Sequence, residues 1–182
     1  MKSIKIYLAI VTVIYLSGCA SGAKMENMIY QGDQKNYSAE LKENLEVSNV
    51  SGGQKTNPAW TSEISSEAFS GAVKESLSAQ GLLSENGQYK LTVEMLKVDQ
   101  PIFGLNFEVT THVKYLLLDS ISNSVIFDET IVAPHTSTFG DAFSGVERLR
   151  LANEGAGNKN IEIFLEKLSE LQINKNEISL SE

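Results

Sequence analysis

Cysteine and histidine are both scarce in this sequence, and each scarcity excludes a class of chemistry. The 182 residues include one cysteine and two histidines. A single cysteine cannot form an internal disulfide. Oxidising compartments stay open, because a disulfide is permitted there and not required. A metal centre needs several ligands at matched spacing. His112 and His135 stand 23 residues apart, so no metal or cofactor is expected. Positive charge is also in short supply, with 15 Lys and Arg against 23 Asp and Glu, a net of −8. Without Lys2 and Lys5 the remainder carries 13 positive side chains and a net of −10. Such a chain lacks the positive field that nucleic acid requires. What is present suits a folded protein: 42% hydrophobic and 21% charged residues. The length fits one domain, large enough to fold without a disulfide or metal staple.

The N-terminus has its own pattern. Lys2 and Lys5 precede Ile6 to Leu16, an apolar run of 11 residues. That is the length of a signal h-region and too short to span a bilayer. Ser17, Gly18 and Cys19 follow. A bare reading allows a buried free cysteine at the end of an anchor helix. Leu16-Ser17-Gly18-Cys19, however, resembles the lipobox of bacterial lipoproteins at all four positions. The resemblance implies cleavage between Gly18 and Cys19, with lipid on the cysteine thiol and amine. Each buried methylene contributes about 0.8 kcal/mol, so several acyl chains make a lasting anchor. Ala20, rather than Asp, follows the cysteine. By likeness to sorting in Gram-negative lipoproteins, this implies the outer membrane, facing the periplasm.

The expected organisation is a signal peptide over 1–18, a lipidated tether over 19–44, one α+β domain over 45–173 and a polar tail over 174–182. Leu45 to Val50 alternates as a short strand. Ser51-Gly52-Gly53 through Asn57-Pro58 is turn-rich. Ile64, Ala68, Phe69, Ala72, Val73 and Leu77 form the apolar stripe of a helix. Ser or Thr at 61, 62, 65 and 66 offers N-caps, and Gly81 sits where a C-cap glycine belongs. Tyr89, Leu91, Val93 and Met95 alternate, and the phase flips at Leu96 and Val98, which implies a bulge or a twist. From Phe103 through Leu105, Phe107, Val109, Val113, Tyr115 and Leu117 the alternation predicts one long strand with a wet face. His112 and Lys114 fall on that wet face. Asp119 to Ser124 reads as a hairpin loop, with a return strand ending near Pro134. Ser144-Gly145-Val146-Glu147 has capping-box spacing before a final helix. Its stripe holds Val146, Leu149, Ala156, Phe164, Leu168 and Leu171, with Asn153 and Asn160. Gly155 and Gly157 invite a kink.

The element order is strand, helix, three strands, helix. The expected fold is a two-layer α+β sandwich: a mostly antiparallel four-stranded sheet with two helices on one face. In element order and length, roughly residues 45–171 resemble small periplasm-facing lipoproteins, such as the lipoprotein of the lipopolysaccharide-assembly machinery. Related βα arrangements occur in the N-terminal domain of the Tol-system propeller protein and in curli-secretion lipoproteins. Ser51-Gly52-Gly53, Asn57-Pro58-Ala59-Trp60 and Leu151-Ala152-Asn153-Glu154-Gly155-Ala156 look like signatures of a lipoprotein group.

Catalytic patterns are few. There is no Gly-x-Ser-x-Gly elbow. Asp128 and Glu129 are adjacent, so in a strand they point to opposite faces. Glu154 beside Gly155 and Gly157 lacks the order of a phosphate loop. His112 and His135 are expected to be solvated or paired across strands. The binding candidates are Trp60, Phe139, Phe143, Asn153, Glu154 and Asn160. Asn153 and Asn160 are expected to be buried amides bonded to backbone. Phe139 and Phe143 flank Gly140-Asp141 and either grip a lipid or partner or fold back as a lid on the core, the lid being preferred. Trp60 poses the same choice beside the first helix. The expected function is non-enzymatic: a membrane-anchored accessory protein with an envelope protein partner, or a carrier of a lipid-like ligand between sheet and helices.

Overall fold

The structure is a computed structural model, and it describes residues 21–57, 61–174 and 177–180. Cys19, Gly18 and Trp60 lie outside the described residues. The main sheet is built from β1 (Leu45–Ser51), β2 (Tyr89–Asp99), β3 (Phe107–Asp119) and β4 (Val125–Ser137), in that spatial order. β2, β3 and β4 are antiparallel neighbours, whereas β1 runs parallel to β2. The sheet is therefore mixed. A parallel pair needs a crossover, and the helix α2 (Ser66–Ala79) supplies it. Two further helices are α1 (Met25–Met28) and α3 (Gly145–Glu170). Among the described residues there are thus three α-helices where two were expected. A small hairpin, β5 (Leu171–Asn174) with β6 (Glu177–Leu180), occupies part of the expected polar tail.

Local chemistry explains most of these elements. The Ser65 hydroxyl accepts from the Ala68 N–H at 3.1 Å and caps α2. Phe69, Ala72, Val73 and Leu77 of α2 are buried, as the stripe predicts. Gly81 ends the turn after α2 at φ +68°. β2 shifts register between Met95 and Lys97, which exposes Leu96. In β3, Phe107, Val109, Thr111, Val113, Tyr115 and Leu117 are buried, while His112 and Lys114 are half-exposed. His112 Nε2 meets Asp99 Oδ2 across the strands at 3.1 Å. Tyr115 stacks on Phe164 of α3, ring centroids 4.0 Å apart, and Phe127 meets the same ring edge-on.

Four expectations need correction. Strand β3 begins at Phe107, not Phe103, so Phe103 and Leu105 lie in a loop. Their alternation is incidental: Gly104 at φ +152° breaks the strand geometry. The helix α3 runs unbroken through Gly155 and Gly157. A Cβ on Gly155 would sit 2.1 Å from the His135 ring, and one on Gly157 would sit 2.7 Å from Met28 Sδ. These glycines thus trade helix propensity for close packing. Ser144 is the N-cap residue of α3 but its side chain makes no capping bond. Finally, residues 21–44 are not a loose tether. Met28 and Leu41 are fully buried and Ala23 and Tyr37 nearly so, all in the main core.

Candidate functional site at the apolar end

The entry segment is laced to α3 by polar groups, of which the sequence placed Glu154 alone among the binding candidates. Glu154, almost fully buried, accepts from the Lys24 N–H at 2.9 Å, from Asn27 Nδ2 at 2.8 Å and from Arg150 Nη1 at 2.8 Å. Asn158 Nδ2 donates to the carbonyls of Met28 and Ile29. Lys35 pairs with Glu166 at 3.6 Å. These contacts fall in order along both partners. The entry segment therefore runs beside α3 in the same direction, away from the start of the helix.

Asn153 and Asn160 lie fully buried on the inner side of α3. Asn160 Oδ1 accepts from the Tyr115 hydroxyl at 2.9 Å, and its amide donates to the Ile131 carbonyl at 3.0 Å and Thr111 Oγ1 at 3.1 Å. Asn153 Nδ2 donates to the Ser62 carbonyl at 2.7 Å. Asn153 Oδ1 accepts from Gln100 Nε2 at 2.9 Å, which also reaches Glu63 Oε2 at 3.1 Å. Burial raises the Glu63 carboxyl above its ordinary range, and hydrogen bonds from Thr61 and Gln100 oppose that rise. Glu63 also holds the entry: the Ala23 N–H donates to its carbonyl at 2.9 Å. The two asparagines join helix to backbone, as expected of satisfied buried amides. Glu154 does the same for the entry segment, leaving none of these three poised toward a ligand.

Two loops leave one end of the sheet together. Phe107 opens β3 opposite Ser137, which closes β4, so loop 100–106 and loop 138–144 are neighbours. Their apolar side chains face outward. Ile102 is 94% exposed, Phe103 86%, Leu105 74% and Phe143 86%, with Phe139 half-exposed. Phe139 and Phe143 are therefore no lid on the core. Instead they meet edge-on, centroids 5.6 Å apart. Arg148, nearly buried in the first turn of α3, fixes this loop. Its Nη1 donates to the carbonyls of Ala142 and Phe143, each at 2.8 Å, and its guanidinium lies 5.2 Å from the Phe107 ring and 5.3 Å from the Phe139 ring. The Asp141 carboxylate accepts from Thr138 N–H and Oγ1, which holds it below the usual range. Between the first loop and the start of α3 a mainly apolar groove of about 460 Å³ is lined by Pro101, Ile102, Phe107, Val146 and Leu149, with Thr61 and Gln100 at its polar side. Phe103 and Leu105 were assigned to the long strand by the sequence pattern, and Ile102 was given no role. A cue was available in Pro101 and Gly104, which punctuate that run.

Among the described residues no group of three or more His, Cys, Asp or Glu comes together to hold a metal. No described helix is long and apolar enough to cross a membrane. His135 stands over Gly155, and its register partner is Val109.

This arrangement of strands and helices has a solved counterpart. The fold is shared with protein XCC0632 from Xanthomonas campestris, of the DUF330 family. That likeness has a TM-score of 0.54 at 12% identity, covering 81% of this chain and 93% of the other. A minor lipoprotein from Acinetobacter baumannii also matches, at TM-score 0.49 and 10% identity, over 78% of this chain and 99% of that one. No family model matches the sequence, and no curated protein matches it significantly.

Proposed function

We propose that this chain is a lipid-anchored accessory protein of the Gram-negative envelope, facing the periplasm from the outer membrane and acting by binding a protein partner rather than by catalysis. The observation that carries the reading is the lipobox-like Leu16-Ser17-Gly18-Cys19, four residues before the point where Ala23 docks on Glu63. Acyl chains on Cys19 would hold the folded unit close to a membrane. The fold shared with XCC0632 concerns architecture alone and bears on neither the anchor nor the partner. The buried polar residues are consumed by the fold, which weakens a catalytic reading. The space between sheet and helices is filled by Phe69, Tyr115, Phe127 and Phe164, which weakens the reading as a carrier of a lipid-like ligand there. β4 forms one edge of the sheet, and an added strand from a partner would dock on it.

Metabolic labelling with a fatty acid tests the anchor. The parent should incorporate label and Cys19→Ala should not. Equal labelling of both would overturn the reading. Crosslinking from an exposed β4 position such as Val132 in membranes tests the partner, and a single discrete adduct is expected.

A further inference from the structure

We infer that the apolar end is a membrane-contacting surface, on which loops 100–106 and 138–144 press Ile102, Phe103, Leu105 and Phe143 into the lipid that holds the anchor. The inference rests on the lipidation of Cys19 proposed above. Three observations point to lipid rather than to a protein.

The first is direction. Traced backward, the entry segment passes Glu166, Asn158 and Glu154 in turn, toward the start of α3. The start of α3 lies at the apolar end, where Gly145 and Val146 line the groove with Ile102. The second is reach. Four residues of extended chain span at most about 14 Å, so Cys19 cannot stray far from Ala23. Ala23 is itself bonded to Glu63, which Gln100 ties to the base of the first loop. An anchor there brings the bilayer to this end of the sheet and not to the hairpin at Ile121. The third is composition. Loop 100–106 carries no charge, and loop 138–144 carries only Asp141, whose carboxylate is turned to Thr138. Phenylalanine and isoleucine at the tips of two loops that carry a single charge between them suit the headgroup and acyl boundary. Arg148 keeps the second loop rigid, so Phe139 and Phe143 are presented without an ordering cost at contact.

The experiment uses the lipidated protein on vesicles. Once Cys19 is acylated the chain has no other thiol. Phe103→Cys, Phe143→Cys and Ile121→Cys can therefore each carry one environment-sensitive fluorophore. All three sites are well exposed, so folding should be unchanged, which a thermal melt checks. The vesicles are phosphatidylethanolamine and phosphatidylglycerol, with a fraction of the acyl chains brominated. Blue-shifted emission and loss of most intensity to bromine are expected at 103 and 143, with neither at 121. If the vesicle-bound, lipidated protein shows 103 and 143 as wet as 121, the inference is overturned and a protein is left to cover the tips. Quenching at all three sites would overturn it too, since no end would then be chosen. Mass spectrometry separates the premise: an unacylated Cys19 removes the anchor reading and this inference together.

Discussion

The inner seam of α3 and the loops at its start break the same rule in opposite directions. Along the seam, polar groups are inside: Asn153, Glu154 and Asn160 are buried. At the loops, apolar groups are outside: Ile102, Phe103, Leu105 and Phe143 face solvent. The difference lies in who satisfies them. Every seam residue finds its partners within the chain, so its role is complete when the protein folds. The loop residues stay largely exposed, Phe143 meeting Phe139 edge-on and Ile102 lining one wall of a groove, so most of the benefit they bring must come from another surface. Buried polarity here reports on stability, and exposed apolarity reports on contact.

Mutations can break this contrast if it is wrong. The largest effect should come from Asn160→Ala. It leaves the buried Tyr115 hydroxyl without this acceptor and takes the amide donor away from the Ile131 carbonyl and Thr111 Oγ1. Two such losses predict a cost of about 3 kcal/mol, read in a urea or thermal melt. Glu154→Ala should cost less, about 1–2 kcal/mol, because the groups it frees lie nearer solvent. Its signature should be local, with faster amide exchange over residues 24–30 and little change in β3. Uniform loss across the sheet would show that the entry segment is not a separable layer.

Glu63→Gln sharpens the contrast from the other side. Burial raises the folded carboxyl above its unfolded value, so the charged form disfavours folding. The penalty is absent below the unfolded value and grows as pH rises through the folded one. The variant should therefore melt slightly higher than the parent at neutral pH, with the gap closing in acid. The smallest effect is expected at the tips. Phe103→Ser and Phe143→Ser should each change stability by less than about 0.5 kcal/mol. A loss comparable to that of Asn160→Ala would mean the tips serve the core after all.

Much of the sheet was legible in the sequence because its cues are local. The alternation of Tyr89 to Met95, the bulge at Leu96 and the cap at Ser65 need only neighbouring residues to be read. The direction of β1 was not legible, because a strand looks alike whichever way its neighbour runs. The entry segment was hidden for a related reason. Met28, Tyr37 and Leu41 follow no helical or strand period, and they are buried by residues distant in sequence. The loops were misread because Phe103 and Leu105 continue the spacing of β3 by coincidence. Of the candidate residues, Asn153 and Asn160 were placed correctly on the packed side of α3. Ser51-Gly52-Gly53 was noticed without a reason. Gly52 adopts φ +84°, with room for no Cβ against the Met95 carbonyl at 2.0 Å, and a Cβ on Gly53 would meet the Ser66 nitrogen at 2.2 Å.

The bond from Lys24 to Glu154 joins residues 130 apart. Such a contact cannot exist until the final helix has been made and delivered. If the chain emerges from an export channel with its N-terminus first, its leading stretch can meet Glu63, Ser76 and Gln80 early, and lacks its last partner only for the interval before α3 has followed. Closure of Glu154 over Lys24 then ends the interval. A chain truncated before α3 would keep the earlier contacts of its entry segment yet never complete the seat of its own leading edge.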